Sequence, residues 1–399
     1  MREALGANRD LQAARLAIDV ARGQRRQAGR LENPELELGY VDDFAFADEG
    51  ERAASAGFAQ RFPVTARLAR ERDVAGQDVE IAEAEVRNFV RTLIADVEGV
   101  FYTVRALDER RATNAELIES VRHVEETTVR RLRAAEVSPA EVGLLRIERL
   151  RLEQETQRLL REREVAASSL TRLLGRARSE EISPIGDLDP GPMAGVLVPP
   201  VATVAAMDRP DLEGAQRGIE RADADLRLAR TEIWQDWTVR LGTESDRQVF
   251  DAPIGVERDA ALGIGLTVPI PLWNRQQGRI AAAAAELRRS RRSRDALVLR
   301  IDEEIRAADA RVRTLRSSVD AYAEDILPEA KRSQELFERG YRQGLVGIAE
   351  LLQAQRQYNE SRTLYLELLG DLRQAAIALE AATGTSPHLN DLRQPGGMP

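Results

Sequence analysis

Two stretches of strict alternation between apolar and polar residues stand in this chain, and each is followed by a far longer stretch with helical spacing. In the first, Leu36, Leu38 and Tyr40 share one face while Glu35, Glu37 and Gly39 take the other, the pattern of a strand wetted on one side. Ala54 to Phe62 predicts a second, weaker strand that stops at Pro63. Ahead of this pair, residues 4–31 carry Leu5, Leu11, Leu16, Ile18 and Val20 on a broad apolar face and predict one helix. Behind it, no proline interrupts Val64 to Glu136, which predicts a helix of roughly 100 Å at about 1.5 Å per residue. The return from Ala140 to Leu174 places Leu145, Leu152, Leu159, Ala166 and Leu173 seven apart, a coiled-coil seam that Gly175 closes.

The same order then recurs. Arg209-Pro210-Asp211-Leu212 opens a helix as Asn8-Arg9-Asp10-Leu11 does. Trp237, Val239 and Leu241 form one face of a third strand, and Leu262, Ile264, Leu266, Val268 and Ile270 alternate with Gly263, Gly265 and Thr267 in a fourth. A long helical pattern from Arg275 to Arg339 is broken by Pro328, and a last one carries Leu351, Tyr358, Tyr365, Leu372 and Leu379 seven apart. Pro63 and Pro271 lie 208 residues apart, and so do Pro139 and Gly347. That equal spacing indicates an internal duplication. The chain divides into a first repeat over 1–175, a linker over 176–208, a second repeat over 209–384 and a tail over 385–399. Strands are expected at about 34–41, 53–62, 235–249 and 259–270, with helical hairpins over 64–175 and 272–384.

Composition narrows the class. Charged residues make up 31% and aromatics 4% of 399 residues, as in long paired helices rather than a compact core. A net charge of −9 gives no basic footprint for nucleic acid. Cysteine is absent, so thiolate chemistry and disulfides are excluded. The two histidines, His123 and His388, lack ligand-spaced neighbours, and no phosphate loop, nucleophile elbow or HExxH motif is present. No metal, cofactor or enzymatic activity is therefore expected. No apolar run reaches the length of a membrane helix. Met1 leads straight into an amphipathic helix rather than a signal peptide, as in a cytoplasmic chain or one whose targeting segment is outside this sequence.

Four strands in two separated hairpins cannot cover their own apolar faces and edges. Closure of several copies into a barrel meets both needs, and an apolar face alternating with small or polar residues is what a membrane barrel strand presents. The competing arrangement is a soluble sandwich with the apolar face turned to a core.

These halves, with VPIPLWNRQQGRI opening the second long helix, ILPEA within it and ERGYRQGLVGIAELLQAQRQY at its tip, resemble the TolC-type outer-membrane efflux channels, in detail the cation-efflux (CzcC-like) branch. The resemblance spans about residues 5–384. It implies a mainly α fold with a β-barrel portion: a homotrimer forming a 12-stranded membrane barrel continued by a 12-helix coiled-coil tunnel. It further implies a passive exit duct in a Gram-negative outer membrane, reaching into the periplasm. The partners implied are outer-membrane lipid, a periplasmic adaptor protein and an inner-membrane RND transporter, with cations or small molecules as cargo. Members enter by a signal peptide and many carry a lipidated cysteine. The second reading is a periplasmic coiled-coil adaptor or scaffold that stays out of the membrane. Such adaptors usually carry one helical hairpin, whereas this chain predicts two.

Carried onto this sequence, the resemblance assigns adaptor contact to the hairpin tips, Glu136, Val137, Ser138 and Pro139 in one and Gly344, Leu345, Val346 and Gly347 in the other. A purely structural turn accounts for those glycines equally well. It assigns a pore gate to Glu350 and Gln353. Three carboxylates around a narrow axis favour cations and respond to pH, whereas Gln353 brings no acid. The competing role for Glu350 is a solvated glutamate favoured by its helix N-terminus. Leu36, Leu38, Tyr40, Trp237, Val239, Leu241, Leu262, Ile264, Leu266 and Val268 are expected to face lipid, with Gly263 and Gly265 toward the lumen. Trp234, Trp237 and Trp273 are expected in an interfacial girdle.

Overall fold

The computed structural model describes residues 1–42, 50–176, 184–186, 188, 209–250 and 255–385. The expected linker and tail thus lie almost entirely outside the described residues. The fold is mainly helical with one small sheet. In chain order the elements are α1 (Arg2–Ala7), α2 (Arg9–Gln27), β1 (Glu35–Asp42), β2 (Arg52–Phe62), α3 (Arg67–Arg133), α4 (Pro139–Leu174), α5 (Pro210–Thr231), β3 (Trp237–Phe250), β4 (Gly255–Thr267), α6 (Gln277–Ala321), a π turn (Tyr322–Ile326), α7 (Leu327–Arg342) and α8 (Ile348–Thr383). Among the described residues, no helix is long and apolar enough to cross a membrane.

The chain forms two compact units, and each draws on both repeats: one comprises Met1–Arg15, Val86–Leu212 and Leu297–Pro399, the other Leu16–Glu85 and Glu213–Ala296. The second unit holds the sheet. Its strands run antiparallel in the order β1-β2-β3-β4. The hairpins expected to be separate are therefore joined, because β2 pairs with β3 from Arg52↔Arg247 to Phe62↔Trp237. At the foot of the sheet, Arg67 reaches from the start of α3 to Asp236 (2.5 Å) beside β3, and also to Glu71 (2.5 Å). Arg279 of α6 grips Asp225 of α5 with both terminal nitrogens, at 2.9 and 2.5 Å.

In the first unit three of the five positions in each heptad seam are buried, Leu145, Leu159 and Leu173 on α4 and Leu351, Leu372 and Leu379 on α8, while Leu152, Ala166, Tyr358 and Tyr365 are half-buried. Three local departures from the expected pattern have physical causes. The single helix expected over 4–31 is two helices, because Asn8 leaves helical geometry (ψ 120°). Its side chain accepts a hydrogen bond from Leu11 N (2.8 Å), and its Nδ2 donates to Leu173 O (2.9 Å) in the last turn of α4. Pro328 does not end its helix. Lacking an N–H, it follows a π turn that widens the backbone and absorbs the missing bond. The repeat offset at the tips, finally, is 209 rather than 208, since Ser138 and Gly347 hold the same N-cap position.

The second repeat answers Asn8 with Arg209. Its guanidinium, 3% exposed, donates to Ala382 O (2.9 Å) at the end of α8 and to Asp211 (2.7 Å) and Glu304 (2.8 Å). Leu173 and Ala382 are again 209 apart, so each repeat closes the C-terminal end of its last helix from the same place. Arg91 adds a bond to Ala381 O (2.6 Å). Burial pulls Asp211 toward the neutral form, but its hydrogen bonds and charge attraction to Arg209 outweigh burial and hold its pKa below the ordinary carboxylate value. A depressed folded pKa contributes stability that is present above the unfolded value, about 4, and is lost as pH falls through the folded value. Asp211→Asn should remove that part of the acid-unfolding slope, measured by circular dichroism from pH 6 to 2. An unchanged slope would mean that Asp211 contributes nothing to it.

Candidate functional site

Two places carry the residues singled out above, the exposed face of the sheet and the tips of the helical hairpins. Register determines the first. Leu36 lies opposite Phe58, Phe58 opposite Leu241, and Leu241 opposite Ile264, so one apolar row crosses all four strands. Leu38, Ala56, Thr243 and Leu262 form the next row, and Gln60, Val239 and Leu266 flank it on the other side. Among the described residues nothing covers this face: Leu38 is 73% exposed, Leu262 78% and Ile264 80%, and Tyr40, Trp237, Val239, Leu241 and Leu266 are exposed as well. Val268 departs from expectation. It lies one residue past the end of β4 and is half-buried. Phe58 and Phe62 belong to the face too, although the weak alternation of β2 did not single them out.

The opposite face is small and polar. Gly57, Gly242 and Gly263 form one row across three strands. A Cβ on Gly57 would come within 3.1 Å of Leu241 O, and one on Gly242 within 3.2 Å of Ala56 O, so the close approach here favours glycine. Gly265 lies on the same face, opposite Arg240. Trp273 is almost fully exposed beyond the end of β4, and Trp234 half-exposed just before β3.

The tips are built twice from one hydrogen-bond plan. Glu136 N donates to Arg131 O and Leu345 N to Gly340 O; Ala135 N donates to Leu132 O and Gly344 N to Tyr341 O. The chain then re-enters a helix through a capping box. Glu141 accepts from Ser138 N (3.2 Å), and Glu350 accepts from Gly347 N (2.8 Å). This turn requires a left-handed residue, which is Gly344 (φ 72°) in one tip and Ala135 (φ 59°) in the other. Glu136, Ser138, Pro139, Gly344, Leu345 and Gly347 are exposed, Val137 and Val346 half-buried, and both Glu350 and Gln353 exposed. Glu350 therefore has a local structural duty, with its second oxygen left to solvent.

Beneath the tips, Val121, Leu145, Tyr341, Ile348, Leu351 and Leu352 form a shared core. The Tyr341 hydroxyl lies 3.1 Å from Thr128 Oγ1, and the Arg131 guanidinium sits 5.4 Å above the Tyr341 ring. Arg356 of α8 donates to Glu148 of α4 from Nε (2.9 Å) and Nη2 (2.7 Å). Residue-type spacing missed this pair. No local pattern could have found it, because both residues sit among many arginines and glutamates on charged helix faces. Among the described residues, no cluster of acidic or imidazole side chains could hold a metal ion.

The chain matches the family model described as "Outer membrane efflux protein" over residues 1–176 and 202–385. It is 24% identical over 381 residues to the cobalt-zinc-cadmium resistance protein CzcC of Cupriavidus metallidurans, covering 96% of this chain and 88% of that protein. Among solved structures, the channel CusC superposes with a TM-score of 0.80 at 17% identity, covering 96% of this chain and 90% of that one. The open-state MtrE outer membrane channel of Neisseria gonorrhoeae gives 0.77 at 19%, covering 96% and 87%.

Two outcomes test the tip geometry. Ala135→Gly relieves a left-handed alanine, so it should slow proteolysis at this tip and raise stability by about 0.5–1 kcal/mol; faster cleavage would contradict the assigned turn. Arg356→Ala removes both hydrogen bonds to the buried Glu148 carboxylate, leaving Arg151 at 3.9 Å, and should cost about 1–3 kcal/mol in thermal unfolding. Glu148→Gln with Arg356→Ala should recover part of that loss.

Proposed function

The chain belongs to the outer membrane efflux protein family, and from that premise we propose that it is the outer-membrane exit channel of a tripartite efflux pump. The observation that carries this reading is the uncovered apolar face that runs across all four strands while β1 and β4 each have a partner on one side only. In water such a face would aggregate, and in hydrocarbon the open edges would leave backbone groups unpaired. A homotrimer resolves both. Three copies supply 12 strands, enough for a closed barrel with the apolar rows against lipid and the glycine rows in the lumen. Trp234, Trp237 and Trp273 then mark the membrane boundary on the helix side of the strands, and the long helical hairpins form the periplasmic tunnel.

The hairpin tips, Glu136 to Pro139 and Gly344 to Gly347, receive the periplasmic adaptor in this reading, and the adaptor links the channel to an inner-membrane RND transporter. Their two-fold repeated geometry presents similar surfaces from each half of the chain. Glu350, with Gln353 one turn on, stands at the narrow end. Three Glu350 carboxylates there would concentrate cations and retard anions. The name of CzcC points to divalent metal cations as cargo; a wide duct passes cargo by field and size rather than by ligation. The chain needs no chemistry of its own for this task.

Purified in detergent, the chain should run as a trimer and conduct in planar bilayers; a non-conducting monomer that stays soluble without detergent would instead fit a periplasmic scaffold. Ile264→Arg places a charge in the apolar row and should abolish membrane assembly, at a cost of about 2–4 kcal/mol per chain near the bilayer centre. Glu350→Gln should lower cation preference in single-channel recordings, and an unchanged reversal potential would leave Glu350 a capping residue alone. Gly347→Trp should cut efflux in cells without cutting conductance, and normal efflux would remove this tip from the adaptor site.

A further inference from the structure

The apolar face of the sheet ends in a row of charge. Asp42 lies opposite Arg52, Arg52 opposite Arg247, and Arg247 opposite Arg258. Their parity along the strands puts all four side chains on the side of Leu36, Leu241 and Ile264. From Trp237 to Ser245 on β3, and over the matching rows of the other strands, this side carries no charge. Then three guanidiniums stand side by side, with Val249 and Val256 in the row beyond.

Like charges directly opposite one another in a sheet are unfavourable, so the row calls for anions. Asp42 supplies one, 3.1 Å from Arg52 Nε. Among the described residues Arg247 and Arg258 form no ion pair with a carboxylate, and Arg247 Nε is withdrawn from water without a hydrogen-bond partner. The acidic side chains at the same level, Glu244, Asp246, Glu257 and Asp259, project from the opposite face. Among the described residues, Asp42 is thus the one carboxylate on the arginines' own side of the strands, set against three guanidiniums.

The position of the row identifies the anion. Trp237 and Arg247 are ten residues apart on β3, about 33 Å along a strand. With a barrel strand's tilt of roughly 35–45°, the rise is about 25 Å, the height of the apolar band of an outer-membrane barrel. With the tryptophans at one boundary, the arginines fall at the headgroup level of the other leaflet. Guanidinium forks match phosphate oxygens in geometry and charge. We infer that Arg247 and Arg258, beside the Arg52–Asp42 pair, form a docking site on the outside of the barrel for the phosphates of a phosphate-bearing lipid in the distal leaflet. This site rests on the barrel reading above and is separate from the conduit.

The test compares the full chain with an Arg247→Gln/Arg258→Gln variant in detergent. Trimer mass and bilayer conductance are recorded first, and they should be alike in both. Thermal stability is then followed on adding diphosphorylated lipid A, a zwitterionic phospholipid or inorganic phosphate. The wild-type chain should bind diphosphorylated lipid A at least tenfold more tightly than the variant, and native mass spectrometry should find the lipid retained on the wild type alone. Equal binding by both proteins would overturn the site. Stabilisation as large with inorganic phosphate would show a free-anion site rather than a lipid one, and overturn it too. A wild-type chain that neither trimerises nor conducts would bring down the barrel reading first, and this inference with it. A conducting wild type with no lipid preference would bring down this inference alone.

Discussion

The outward backbone groups of β1 and β4 are the constraint on which the rest depends. A sheet four strands wide has two edges, and each edge strand turns a row of N–H and C=O groups away from its one partner. Water can satisfy those groups, but hydrocarbon cannot. The apolar rows through Leu36, Leu241 and Ile264 ask for hydrocarbon on one face while the glycine row through Gly57, Gly242 and Gly263 leaves the other open. Edge closure by further copies of the chain meets all three conditions together. The roles proposed for the exposed tryptophans, the long helices and the arginine row all rest on that closure.

The helical unit solves a different problem, the closure of helix ends. Both repeats must satisfy the last carbonyls of a long coiled-coil helix, and both do so from the residue just ahead of a helix, Asn8 before α2 and Arg209 before α5. Asn8 holds Leu173 O with a neutral amide, whereas Arg209 holds Ala382 O with a buried cation that in turn needs Asp211 and Glu304. The position persisted through duplication while its chemistry diverged. The charged solution binds more groups together, and against the pull of burial the attraction of Arg209 holds the Asp211 carboxyl below its ordinary pKa. The tips diverged less. Two turn bonds recur in both, while the residues differ: the left-handed position is alanine in one and glycine in the other, and the N-cap is Ser138 in one and Gly347 in the other.

At the candidate gate, the capping bond of Glu350 does not exclude the role proposed for it. One oxygen caps Gly347 N and the side chain stays exposed, so the capping bond fixes a carboxylate at the start of α8. Glu141 holds the equivalent place in the other tip, and the sequence pattern had not singled it out. The resemblance pointed to Glu350, whereas the placing of both glutamates follows from spacing, three residues past the N-cap, where the side chain reaches back to the N-cap N–H. Arg356 and Glu148 lay beyond that kind of reading, because nothing local distinguishes them from the many arginines and glutamates on solvated helix faces.

The sequence by itself determined what local periodicity can encode. Alternation at a period of two placed β1 and β4, sevenfold spacing placed the buried seams of α4 and α8, and Gly175, Gly344 and the Ser138 cap placed the turns. Each of these follows from residues within one or two turns of one another. Tertiary structure decided how distant segments pair. It joined β2 to β3, set the register that aligns Arg52, Arg247 and Arg258, broke the first helix at Asn8 and matched Arg356 to Glu148. The physical reason is that a strand's pattern specifies which face is apolar but not which neighbour it meets. That choice is settled by backbone hydrogen bonds between segments nearly 200 residues apart.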